Sequence, residues 1–152
     1  MTAIRTDIDA MDLLQRLQEL ESVYPGFRDW YLSKVVPGVA DGTRRVFAEI
    51  SDSQISGVAI AKRGGGELKL CTLWKDSNAD GETAVVLARS AMEWLGTERP
   101  SFTVPADRIH RLRPVLNHFG MDGGVAVGSL YRHGVGEFLF NAREMSPRGS
   151  AE

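Results

Sequence analysis

ELKLCTLWKDSNADGETAVVLARSAMEWLG, residues 67–96, is the stretch that decides the fold. Glu67 to Leu73 mixes apolar and polar residues at a length that predicts a strand. From Gly81 onward the period changes. Ala84, Leu87, Ala88, Ala91, Met92 and Leu95 recur three and four apart, which is one face of a helix that Gly96 ends. Between strand and helix lies a short loop, Trp74 to Asp80, carrying Ser77, Asn78, Asp76 and Asp80. A strand that feeds a small-residue loop and then a helix aims free backbone N–H groups at whatever sits above the loop, an arrangement suited to a phosphate.

On the N-terminal side of this unit, Thr2 to Thr6 predicts a short edge strand, and Asp9 is placed to cap a helix running through Glu21. Tyr24-Pro25-Gly26 breaks that helix, and a second one spans Phe27 to Val35 before Pro37-Gly38. Three strands follow: Arg44 to Ile50, Gln54 to Lys62, and Glu67 to Leu73. The turns Ser51-Asp52-Ser53 and Arg63-Gly64-Gly65-Gly66 are short enough to make these strands antiparallel hairpins. The glycine run precedes a strand and not a helix, so it is a hairpin tip.

On the C-terminal side, Ser101 to Val104 predicts a strand, and Asp107 to Phe119 a helix whose regular part begins near Arg113, with Pro114 in its first turn and Gly120 closing it. Gly123 to Leu130 and Val135 to Phe140 are two final strands. Residues 142–152 are polar and read as a frayed tail, leaving residues 1–141 as one domain. The order is β-α-α-β-β-β-α-β-α-β-β, an α+β pattern. It implies a mixed twisted sheet of about seven strands with helices on both faces, and the length of the Gly81 helix suits a crossover that makes the Glu67 and Ser101 strands parallel neighbours.

A chain of 152 residues with 18 basic and 20 acidic side chains has room for a proper core and carries no basic stripe for nucleic acid. No apolar run approaches membrane-spanning length, and the N-terminus lacks a signal-peptide core. One cysteine, Cys71, excludes an internal disulfide and fits a reducing cytoplasm. His110, His118 and His133 show no ligand spacing with it, so no metal is expected.

Several segments carry a family likeness. Glu49-Ile50, Ile55 to Ile60 and Leu70-Cys71-Thr72-Leu73, then Glu93 to Gly96 and Pro114 to Met121, resemble the core strands and following segments of the GNAT superfamily of N-acetyltransferases. Tyr24 to Phe27, Lys34 to Gly38 and Asp41 to Arg44 are similar to one subgroup of it, so the likeness covers residues 24–141. The resemblance implies acetyl-CoA as co-substrate, a small-molecule or protein amine as acceptor, and a homodimer. It also implies that the thioester is held along the Glu67 strand.

The family's pyrophosphate motif, Gln/Arg-x-x-Gly-x-Gly/Ala, is degenerate here. Asn78 to Ala84 matches it at Gly81 and Ala84, while Asp80 and Glu82 replace the expected surroundings. A carboxylate about 6 Å from a phosphate charge repels it by roughly 3 kcal/mol at an effective dielectric of ~20. Cofactor-binding candidates implied by the resemblance are Leu73, Trp74, Lys75, Gly81, Glu82, Thr83, Ala84 and Asn117. Catalytic candidates are Tyr131 as general acid and Glu49 as base, each with a structural alternative: a core tyrosine and a solvated strand-face glutamate. Trp30 and Tyr31 are candidates for the acceptor pocket, against an alternative as core aromatics. Two functions remain open at this point. One is an acetyl-CoA-dependent N-acyltransferase. The other is a protein of the same fold with impaired CoA binding that works as a binding or regulatory module.

Overall fold

The structure, a computed structural model, describes residues 2–121, 124–132 and 134–141. Its N-terminal half contains β1 (Thr2–Arg5), α1 (Ala10–Arg16), α2 (Leu20–Val23), α3 (Phe27–Trp30), α4 (Val36–Asp41), β2 (Arg44–Ser51), β3 (Gln54–Gly64) and β4 (Glu67–Lys75). Its C-terminal half contains α5 (Gly81–Leu95), β5 (Phe102–Pro105), α6 (Ile109–His118), β6 (Val125–Arg132) and β7 (Val135–Phe140). The tail, residues 142–152, lies outside the described residues.

The α+β expectation holds, with a refinement in the sheet. β1, β2, β3 and β4 form one antiparallel sheet in chain order, and β5, β7 and β6 form a second. β4 and β5 are parallel neighbours, but their contact is a single bridge, Lys69 to Ser101. Two hydrogen bonds make it: Leu70 N to Ser101 O at 2.9 Å and Ser101 N to Leu68 O at 3.0 Å. Past that point the strands diverge. β5 takes its ladder from β7 instead, and Pro105 at its end has no N–H to offer β4.

β2 and β3 are buried on both faces, which explains their almost unbroken apolar runs. Phe47, Ala59 and Ala61 pack under α5 and α6. Their strand neighbours Val46, Ala48, Val58 and Ile60 pack under α1 to α4 with Leu13, Leu17 and Tyr31. The caps of α5 are as the sequence predicts. Asp80 Oδ1 accepts from Glu82 N at 3.0 Å, and Gly96 closes the helix at φ 75°. Asp80→Ala should therefore cost about 1 kcal/mol, read from a denaturant midpoint; an unchanged midpoint would mean the cap is idle.

Three helix expectations are corrected. The helix after Asp9 breaks at Leu17, where tightened bonds (Leu17 N to Leu14 O, Leu20 N to Leu17 O) keep Leu13, Leu17 and Leu20 in one core. The second helix does not stop at Pro37-Gly38. A π-turn, Tyr31–Val35, shifts the bonding register just ahead of Pro37, the residue with no N–H to give, and the helix continues as α4. α6 begins at Ile109 and not near Arg113, so Pro114 lies in its interior. The apolar stripe Ile109, Leu112, Val115, Leu116 and Phe119 on the core outweighs one forfeited hydrogen bond.

Candidate functional site

The divergence of β4 and β5 opens a cleft of about 470 Å³ that passes between the two faces of the sheet. One wall is β4, with Leu73, Trp74 and Lys75; the other is β5, with Thr103, Val104 and Pro105. On one face the mouth is framed by Gly81, Ala84 and Ala88 of α5 and by Arg111 and Pro114 of α6. On the opposite face it is framed by Leu20, Tyr24 and Arg108. Gly81 lies close to Pro114: a Cβ there would sit 3.4 Å from Pro114 Cγ, an ordinary packing contact between the start of α5 and α6.

The charge of this cleft is one-sided. Lys75, Arg108 and Arg111 line it, and no carboxylate does among the described residues. Burial, with the repulsion of Arg111 next, lowers the pKa of the half-buried Arg108 from the usual arginine value. Lys75 Nζ donates to Ala79 O at 3.0 Å and so braces the loop before α5.

The acids expected to repel a phosphate sit elsewhere. Asp76, Asp80 and Glu82 line a second, polar cavity of about 400 Å³ together with Glu49 and Thr83. Asp76 is also paired with Arg16, Nη2 to Oδ2 at 2.8 Å. None of the three acids appears in the lining of the cleft, although Asp80 and Glu82 flank Gly81, which does. A loop sequence shows which residues are near a helix start but not the side on which each one stands.

Of the residues singled out in the sequence, Leu73, Trp74, Lys75, Gly81 and Ala84 line the cleft. Glu82, Thr83, Asn117, Glu49, Trp30 and Tyr31 do not. Glu49 is 5% exposed, not solvated, and its Oε1 accepts from Ser56 Oγ at 3.0 Å and Thr83 Oγ1 at 2.8 Å. It clasps β2, β3 and α5 together. Asn117 is exposed on α6. Trp30 packs at a tilt against Phe27 and lies under the Arg44 guanidinium. Tyr31 is fully buried, its hydroxyl donates to Ala10 O at 2.5 Å, and burial pushes its pKa above the usual phenol range. Tyr131 belongs to β6, and its side chain lies outside the described residues, as does His133. No group of His, Cys, Asp and Glu among the described residues could hold a metal, and no described helix is long and apolar enough to cross a membrane.

Sequence reading missed Tyr24, Arg108 and Glu137. Glu137 is the acid inside the otherwise apolar strand VGEFLF, and that interruption was the available signal. It is 1% exposed, and neither carboxylate oxygen has a hydrogen-bond partner among the described residues. Burial pushes its pKa up to about 7, with Asp107 adding and Arg132 opposing. The folded protein therefore holds a proton on Glu137 between about pH 4.5 and 7 that the unfolded chain has released, and stability falls as pH rises through that window. Glu137→Gln should match wild type near pH 4.5 and exceed it above pH 7 by on the order of 1 to 3 kcal/mol. Parallel melting curves that stay superposed at every pH would contradict this.

No family model and no curated protein matches the sequence. Solved structures do match. A protein from Desulfovibrio desulfuricans described as a GNAT-family acetyltransferase aligns at TM-score 0.71 and 16% identity, over 92% of this chain and 97% of its own. A GNAT-family acetyltransferase from Bacillus cereus aligns at TM-score 0.65 and 15% identity, over 96% and 99%. The PaiA N-acetyltransferase of Thermoplasma acidophilum, solved with coenzyme A, aligns at TM-score 0.62 and 12% identity, over 93% and 99%. Alignment along nearly the full length of each, with the splayed β4 and β5 between two helical layers, shows that this chain has the fold of the GNAT acetyltransferases.

Proposed function

We infer that the protein transfers an acetyl group from acetyl-CoA to an amine. The observation that carries this reading is the charge of the cleft: an apolar slit through the sheet with three cationic side chains and, among the described residues, no carboxylate in its lining. CoA is an elongated polyanion with an apolar pantetheine arm, and the two ends of that description fit the two parts of this lining. The pantetheine arm runs along Leu73 and Trp74, and the pyrophosphate lies by Lys75 and the start of α5 at Gly81. Solved neighbours hold CoA or acetyl-CoA, which supports the choice of co-substrate.

The two reactants meet inside the slit, so they enter from opposite faces. CoA takes the α5 and α6 mouth, and the acceptor takes the mouth at Leu20, Tyr24 and Arg108. Tyr131 is the candidate to return a proton to the departing thiolate. Acetyl-CoA at a hundredfold excess over its dissociation constant should stabilise the protein by about 2.7 kcal/mol, visible as a raised melting temperature. A melting curve indifferent to acetyl-CoA, with calorimetry showing no heat of binding, would remove the reading.

A further inference from the structure

We propose that Glu137 receives the ammonium of a primary-amine acceptor and takes its proton, acting as the general base of the transfer. The inference rests on the acetyl-transfer reading above and adds the acceptor's chemical class and the group that activates it.

The register of the second sheet puts Glu137 on the correct face. Phe138 and Phe140 of β7 pack into the core under α5 and α6, as do their partners Val104 and Phe102 on β5. Alternation turns Glu137 to the other face, directly across from Pro105 and diagonal to Thr103. Pro105 and Thr103 both line the cleft and Glu137 itself does not, so its buried carboxylate stands directly behind that wall, on the face of the Leu20, Tyr24 and Arg108 mouth.

The surroundings leave that carboxylate unanswered. β5 supplies no titratable side chain. From β6, Arg132 lies close enough to attract Glu137, but its Nη2 is committed to Asp107 at 2.8 Å and its buried Nε has no partner. From the turn after β5, Asp107 adds repulsion, and Arg108 faces the cleft mouth beside Tyr24. A buried carboxylate with two free oxygens is costly in a folded protein, and such groups gather where a ligand completes them. An ammonium supplies what is missing: positive charge and N–H donors. A carboxyl that titrates near neutrality is also suited to exchanging a proton with an amine.

The step balances. The R–NH3⁺ group gives one proton to the Glu137 carboxylate, directly or through one water. The freed nitrogen lone pair attacks the thioester carbonyl carbon, the C–N bond forms and the C–S bond breaks. The thiolate takes a proton from the candidate acid Tyr131 and leaves as CoA–SH, and Tyr131 is reprotonated by the second nitrogen proton. The amide keeps the third, and Glu137 later releases its proton to solvent.

The test is a pH titration of the full-length protein labelled with carboxyl-13C glutamate, with CoA present and the Glu137 signal assigned by its loss in Glu137→Gln or, if that variant does not fold, in Glu137→Leu. Wild type should titrate near pH 7. Methylammonium chloride should lower that midpoint by about one pH unit or more, while potassium chloride at equal ionic strength leaves it in place. A midpoint that methylammonium does not move, or one at the ordinary carboxylate value, overturns the proposal. Any amine that the wild type acetylates should react about 10²-fold more slowly with Glu137→Gln at neutral pH, and an unchanged rate also overturns it. Acetyl-CoA binding is measured separately. Its absence, with the methylammonium shift intact, removes the acetyl-transfer reading and leaves the ammonium site standing.

Discussion

Gly57→Val is expected to lose about 3 kcal/mol of stability, the upper part of the usual range for overpacking a well-filled core. Gly57 sits in β3 between Glu49 of β2 and Lys75 of β4. A Cβ there would lie 2.6 Å from Leu87 Cδ1, 2.8 Å from Thr83 Cγ2 and 3.1 Å from Trp74 O. Two of those neighbours are side chains on the first turns of α5, and the third is backbone of the cleft wall, which cannot turn away. The larger residue must therefore lift the start of α5 from the sheet, loosening the Thr83–Glu49 hydrogen bond as it does. In a chain of this size the loss corresponds to a melting temperature lower by about 10 °C. A denaturant midpoint within about 0.5 kcal/mol of wild type would show that α5 does not depend on this close approach.

Ala84→Trp should abolish most acetyl-CoA binding while the fold survives. Ala84 stands one turn into α5 and lines the cleft beside Gly81 and Pro114. The indole has somewhere to go, because the cavity in front of it measures about 470 Å³. It occupies the space assigned to the CoA arm, and a ligand that buries most of its surface cannot share that space. Affinity should fall about 100-fold or more, equivalent to about 2.7 kcal/mol, by calorimetric titration. Circular dichroism and melting in the absence of ligand should stay near wild type. Equal affinity in the two proteins would place the cofactor somewhere other than this slit.

The features that were legible in the sequence are those written in adjacent residues. The Asp80 cap, the Gly96 stop, the hairpin at Asp52-Ser53 and the strand β4 followed by α5 all depend on neighbours. Pro37 and Pro114 misled because a proline's local cost was set against tertiary packing that a sequence does not display. The cleft was half legible for the same reason. Leu73, Trp74, Lys75, Gly81 and Ala84 come from one continuous stretch and could be placed together. Tyr24, Arg108 and Arg111 come from two other parts of the chain, and only the fold brings them to the same cleft. Glu49 and Tyr31 had the right chemistry for a site but use it to join elements.

The single bridge between Lys69 and Ser101 bears on how the chain assembles. Every ladder in residues 2–75 pairs strands consecutive along the chain, from β1 to β4, and none waits for a strand of the second sheet. The four-stranded meander can therefore close while residues 102–140 are still being synthesised. α5 covers its exposed Phe47, Ala59 and Ala61 next, and β5, β7 and β6 dock last on a finished surface. The cleft does not exist until that final docking, so a nascent chain arrested before β7 carries the folded meander but no enclosed cleft.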